Sequence, residues 1–318
     1  MLYPLKFKKV FIEKVWGGRE FEKKLGMKLP ENKKIGESWE VSAHPNGMSI
    51  VENGFLAGKT LQEVYDEYKE KLVGEKVYKE YRNLFPLLIK YLDVNDRLSI
   101  QVHPDDNIAM KKHNELGKSE SWYIMEASDD ALLIMGMKEG MTKEKFLEKA
   151  ENNDFDDMFE KITVKKGDLI DINPGMVHAS LKGSVLFAEI QENSDITYRI
   201  YDFDREENGK KRELHIKDAA EVIDFKRKAE IINTDLADGE TRKTIICKKY
   251  YTIDKLKISN LFEDSNNESM IIYSILEGEG TISKDDNILS IKKGESILIP
   301  PYINVILKGN MEILRTVI

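Results

Sequence analysis

The feature that most limits how this chain can fold is a pair of β-dense blocks, at about 161–205 and about 269–318. In the first, Ile162 to Ile172 is a short apolar stretch ending in the turn Asn173-Pro174-Gly175. Val185 to Gln191 and Ile196 to Tyr201 follow, rich in β-branched and aromatic residues. In the second, Ile271 to Leu276, Gly278 to Ile282, Ile288 to Ile291 and Ile297 to Ile299 are separated by Gly, Asp-Asp-Asn and Lys-Lys-Gly turns. Short strands at this spacing predict a β-sandwich or barrel. Helices interrupt them. Thr60 and Glu63 form a capping box, and Leu61, Val64, Tyr65, Tyr68 and Leu72 then share one helical face. Shorter helices are expected at 142–149 and 217–223, and a junction between the β units near 232–242.

A weak internal repeat links the blocks. Gly167-Asp168, Pro174 and His178 can be laid on Gly294-Glu295, Pro300 and Asn304, so the position after each strand could point into a barrel, as His in one copy and Asn in the other. This predicts a metal-capable first unit and a second unit without metal that covers the first.

Composition narrows the functional classes. Lys and Arg number 49 against 57 Asp and Glu, a net charge of −8, so there is no basic field for nucleic acid. The single cysteine, Cys247, allows no internal disulfide and no Cys-rich zinc motif, which predicts a reducing, cytoplasmic setting. No stretch reaches the roughly 20 apolar residues of a membrane span, and the charged N-terminus does not read as a signal peptide. No obligate protein partner is evident.

The chemistry must come from few residues, because there are only five histidines: His44, His103, His113, His178 and His215. On a strand, Gln101 and His103 point to one face and can reach one metal ion. A polar edge strand explains the same spacing. His178 follows a turn at a strand end, where either a ligand or a backbone-bonded histidine fits. Glu120 sits in an alternating stretch, Lys118 to Ile124. Together, two imidazoles, a carboxylate and an amide would make a mixed N/O site for a divalent ion, and the lack of thiolates favours a catalytic over a structural zinc.

Several motifs carry a wider likeness: Val15-Trp16-Gly17-Gly18, Gly36 to Pro45, Leu98 to Asp106, Gly117 to Tyr123, Pro174 to Ala179, and Glu189 to Arg205. On these the sequence resembles the type I phosphomannose isomerases (mannose-6-phosphate isomerases) in their shorter bacterial form, across essentially the whole chain. The resemblance implies a mainly β fold of two cupin (jelly-roll) barrels with a small helical insertion. The corresponding domains are 1–229, with helical insertions at about 59–83 and 105–150, and a metal-free unit at 230–318. It implies one Zn2+ per chain held by Gln101, His103, Glu120 and His178. It also implies catalytic roles for Arg199, Glu189 and Lys118, and substrate binding by Lys90 and Arg205, where longer relatives carry a lysine. The implied reaction interconverts mannose 6-phosphate and fructose 6-phosphate through a cis-enediol. A non-catalytic sugar-phosphate-binding cupin is the alternative. His44 is as readily structural, and His113 and His215 match no role.

Overall fold

The computed structural model describes residues 2–207 and 209–318. Three antiparallel sheets dominate. The central sheet has seven strands, ordered Ile231–Asn233, Asp168–Ile172, Glu120–Ala127, Val185–Glu192, Leu87–Val94, Val10–Gly18 and Ile35–Val41. An outer sheet has five: Tyr198–Tyr201, Ile100–Val102, His178–Lys182, Leu132–Met137 and Phe159–Thr163. The third, of nine strands, is built on the long strands Ile271–Lys284 and Val305–Val317.

The central sheet is covered on both faces, and its strands show why. Leu87–Val94 and Val185–Glu192 are buried along their whole length. Because successive side chains alternate, Leu87, Ile89 and Tyr91 pack on the nine-stranded sheet. Leu92 and Val94 face the opposite way, into a core shared with Leu133 and Met135 of the outer sheet. Lys90 lies on that second face, as do Glu189 and Phe187 of the neighbouring strand. The space between the central and outer sheets is therefore apolar at one end and charged at the other. Helices Lys143–Glu151 and Ile216–Val222 close the far side of the outer sheet, where Phe146, Ala219 and Ala220 meet Ile134, Ala179 and Ile200.

The chain is mainly β, as expected, but its layout departs from the sequence reading in four places. Strands cross the boundary expected at 229/230: Leu5–Lys8 pairs with Ser296–Ile299 in the nine-stranded sheet, and Ile231–Asn233 pairs with Asp168–Ile172 in the central one. The stretch 105–150, expected as helical insertion, holds helices Asp106–His113 and Lys143–Glu151 but also strands Glu120–Ala127 and Leu132–Met137. Their apolar runs supply core to both sheets, so burial overrides the charged, helix-like flanks. The Thr60–Glu63 capping box forms, with Thr60 Oγ1 accepting from the Glu63 amide at 3.1 Å, yet the helix stops at Tyr68 because Lys69 turns to φ +48°. Leu72 is buried from a separate turn. Finally, Asn304 is exposed rather than turned inward. The repeat holds for the strand and its proline, not for the residue that follows.

Candidate active site

Strand register assembles the site from two rows of side chains. On the outer sheet, Gln101 is paired with His178 on one side and Arg199 on the other. On the central sheet, Glu189 is paired with Trp122 and Lys90, and Lys90 with Trp39. The rows face each other, so residues nearly a hundred positions apart meet in one place.

At the centre, ligand atoms of His103, Glu120 and His178 all lie within 4.8 Å of one another, and all three residues are buried. Glu120 Oε1 is 3.1 Å from His178 Nε2 and 3.7 Å from His103 Nε2. Backbone carbonyls fix both tautomers: His103 Nδ1 donates to Ile196 O at 2.7 Å and His178 Nδ1 to Met176 O at 3.0 Å. Each Nε2 is left with its lone pair turned inward. Burial, then the Lys118 ammonium, hold His103 well below its ordinary pKa, hence neutral. Burial alone would raise Glu120, but the Lys118 ammonium, bonded to its Oε2, keeps it ionised. Its Oε1 is buried without a hydrogen-bond donor. Two lone pairs and a carboxylate oxygen that converge in this way form a metal-binding triad, and the Lys118 ammonium, 3.3 Å from His103 Nε2, balances the Glu120 charge. Gln101 adjoins them, its amide 3.2 Å from His178 Nε2, and a half-turn of that amide presents its carbonyl oxygen to the same point.

Beside the triad lies a polar cavity whose lining includes Lys14, Glu37, Lys90, Gln101, Lys118, Glu189, Asp195, Arg199 and Arg212. Lys118 Nζ bonds Glu120 Oε2 and stands 3.9 Å from Glu189 Oε1. Glu189 Oε1 accepts from the Trp122 indole at 2.8 Å, and Oε2 is 3.7 Å from Lys90. Burial raises Glu189; Lys118 opposes the rise and Glu120 adds to it. Lys90 also lies 3.8 Å from both Glu37 and Asp195, and sits over the Trp39 ring. Arg199 Nη1 donates to Glu213 O at 3.0 Å.

Of the residues expected at the site, Gln101, His103, Glu120, His178, Lys90, Lys118, Glu189 and Arg199 come together. Arg205 does not line the cavity. Its guanidinium bonds Asp202 and the Arg97 carbonyl. Arg212, on the other side of the same Asp202 carboxylate, reaches the cavity instead. The sequence reading gave no role to Arg212, Lys14 or Asp195, nor to the indole of Trp122. Trp122 and Asp195 lie inside the motifs Gly117 to Tyr123 and Glu189 to Arg205, and Lys14 adjoins Val15 to Gly18, but only the folded arrangement shows that they line one cavity.

The other histidines differ in their bonding. His44 Nδ1 accepts from the Asn46 amide, so its proton is on Nε2, facing Glu115 at 3.7 Å. That is the reverse of the triad tautomers. His113 bonds the Tyr198 hydroxyl. His215 accepts from the Arg199 amide and donates its own amide to Arg199 O, fixing the backbone of that arginine.

A profile of the type I phosphomannose isomerase catalytic domain matches residues 4–134, and one of the mannose-6-phosphate isomerase cupin domain matches residues 240–318. The chain is 38% identical over 306 residues to the probable mannose-6-phosphate isomerase GmuF of Bacillus subtilis, covering 95% of each. It is 36% identical to the mannose-6-phosphate isomerase of Streptococcus mutans, covering 94% of this chain and 93% of that one. The crystal structure of the mannose 6-phosphate isomerase from Bacillus subtilis superposes with a TM-score of 0.90 at 34% identity, over 100% of both chains. The triad, the cavity beside it and these likenesses agree, and the chain belongs to the type I phosphomannose isomerase family.

Proposed function

We propose that this protein is a metal-dependent aldose–ketose isomerase that interconverts mannose 6-phosphate and fructose 6-phosphate, with Zn2+ as its ion. The observation that carries the reading is the cavity itself. Five cationic side chains and three acidic ones line it beside the triad, so a phosphate dianion finds countercharge next to a metal-capable centre. His103, Glu120 and His178, with Gln101, would hold the ion. Two imidazoles with oxygen donors and no thiolate suit zinc in a catalytic role. Bound there, the ion supplies Lewis acidity toward sugar oxygens.

The remaining steps fall to the chain's own residues. Isomerisation removes the proton from C2 of the open-chain aldose, leaves an enediolate, and returns a proton to C1. Proton transfer from the C2 hydroxyl to the oxygen on C1 completes the ketose. Glu189 is our candidate for carrying the carbon-bound proton: its carboxyl is buried, its pKa is raised, and the Trp122 indole fixes it. Arg199, always charged, stabilises the enediolate. Lys118 and Lys90 flank Glu189 and complete the electrostatic setting. The phosphate falls to Arg212 and Lys14, which lie close enough to repel one another, with Arg205 acting through their shared neighbour Asp202. Among the described residues no helix is long and apolar enough to cross a membrane, and the exposed Cys247 suits a reducing cytoplasm. The test is a coupled assay from mannose 6-phosphate through fructose 6-phosphate to a nicotinamide readout. Turnover should vanish with a chelator and return with zinc. A protein that binds mannose 6-phosphate without turning it over would contradict the reading.

A further inference from the structure

Behind the site, away from the cavity, two carboxyl groups lie against each other. Asp106 opens the helix Asp106–His113, which begins three residues after His103. Glu192 ends the strand that carries Glu189. Asp106 Oδ1 accepts from the Gly117 amide at 3.1 Å, and Glu192 Oε2 accepts from the Ser119 amide at 2.9 Å. The residue between those amides is Lys118. Its own amide donates to Pro104 O at 3.1 Å. Three consecutive backbone N–H groups are thus held by the turn that follows His103 and by the end of the Glu189 strand. The fit is close. A Cβ on Gly117 would stand 2.5 Å from the Asp106 nitrogen, so this segment is pressed directly onto the turn.

The pair carries one proton. Burial first, and Asp106 second, push Glu192 up to about 9, while Asp106 is lowered by contacts that include Lys249, Glu192 and Tyr250. Tyr81, Lys248 and Tyr251 also face Glu192. Its second oxygen, Oε1, is buried and makes no hydrogen bond of ordinary geometry. A neutral Glu192 can accept from Ser119 and turn its hydroxyl toward the Asp106 carboxylate. Two ionised carboxylates there would repel and pull the two amides apart.

We propose that Glu192 and Asp106 are positioning residues, which together hold the backbone on both sides of Lys118 and so set the Lys118 ammonium and the Glu120 carboxylate against His103. The inference rests on the reading of Lys118 as part of the catalytic setting. Lys118 bridges Glu120 and Glu189, so a shift in its backbone moves the charge that both of them feel. Misplacement by about 1 Å at such a site costs on the order of a hundredfold in rate.

The test compares Glu192→Leu, Glu192→Gln and Lys118→Met in the zinc-loaded protein with mannose 6-phosphate, with bound metal and thermal unfolding measured alongside. Glutamine keeps an acceptor for Ser119 and presents N–H to Asp106, so Glu192→Gln should stay within about threefold of the parent kcat. Leucine keeps the bulk and loses both bonds, so Glu192→Leu should lose about 10- to 100-fold in kcat with KM little changed. If Glu192→Leu does not fold, Glu192→Asp, one methylene short of Ser119, should show the same kcat loss. A Glu192→Leu protein with parent kcat, or a Glu192→Gln protein as impaired as Glu192→Leu, overturns the proposal. Parent kcat in Lys118→Met instead overturns the role of Lys118, and the positioning role with it. Those two failures are separable, because only the second spares the lysine variant.

Discussion

Replacing Arg212 by alanine should raise KM for mannose 6-phosphate about 10- to 100-fold and leave kcat nearly unchanged. The magnitude follows from how the guanidinium is held. Asp202 is buried, and burial alone would raise its pKa, but Arg212 and Arg205 together keep it ionised. Arg212 gives Nε to Asp202 Oδ2 at 2.8 Å and Nη2 to Oδ1, while Arg205 bonds the same Oδ1 at 2.7 Å. One carboxylate thus serves two guanidinium groups and leaves one net positive charge, which only Arg212 brings to the cavity. A charge-assisted hydrogen bond is worth about 1.5–3 kcal/mol, and each 1.4 kcal/mol is roughly tenfold in affinity. Arg205→Ala should raise KM far less, because Asp202 keeps Arg212 in place. The assay is steady-state kinetics on both variants with mannose 6-phosphate, and with mannose as a substrate lacking the phosphate. Arg212→Ala should leave kcat/KM for mannose unaltered. An equal rise in KM for Arg205→Ala, or an equal loss on mannose, would refute the assignment of Arg212 to the phosphate.

Arg199→Ala should lower kcat about 100- to 1000-fold with bound metal unchanged, as expected for a fixed charge that meets the enediolate; steady-state kinetics with metal analysis decides it, and an effect on KM alone would reassign the residue to ground-state binding. Leu5→Ala should cost about 2–5 kcal/mol in urea unfolding, because Leu5 is fully buried opposite Leu298 in a sheet built mostly from the other end of the chain. Glu192 gives a pH signature. Its folded-state pKa of about 9 exceeds the ordinary carboxylate value, so the folded protein keeps a proton that the unfolded chain releases. Its contribution to stability therefore falls as pH rises from about 4.5 to about 9. Glu192→Gln removes that slope and should gain on the parent by on the order of 1.4 kcal/mol per pH unit across the window. Unfolding at pH 5, 7 and 9 measures it, and a constant difference between the two proteins would contradict the raised pKa.

Much of the site was legible because strand periodicity is local. Gln101 and His103 are two apart, and Glu120 lies in an alternating stretch, so each could be placed on a face without knowing the fold. Lys90, Glu189 and Arg199 were reached through the family resemblance, since a single charged residue in a strand looks like any solvated one. Arg212 and Asp195 were not legible. Nothing in the order of residues tells that Asp202 sits between Arg205 and Arg212, nor that Asp195 faces Lys90 across the cavity. Arg205 and Arg212 flank a short hairpin, Glu206–Glu207 paired with Lys210–Lys211, and Asp195 lies in the loop before Tyr198–Tyr201, so none of them carries a strand pattern. The same holds for the fold. The turn-rich blocks announced β-structure, but the pairing of Leu5 with Leu298 spans nearly the whole chain and leaves no periodic trace. Of the two strands at 120–137, the first showed its alternation at Glu120, while the second, Leu132–Met137, is a short apolar run with no alternating polar residue to mark it.

His103, Glu120 and His178, with Gln101, should hold one ion without which mannose 6-phosphate is not isomerised. This is tested most directly by titrating zinc into chelator-stripped protein and measuring bound metal and turnover in the same samples. Turnover should rise in proportion to bound metal and level off at one ion per chain, and His178→Ala should bind no ion and show no turnover. Full turnover in the stripped protein, or in His178→Ala, would contradict it.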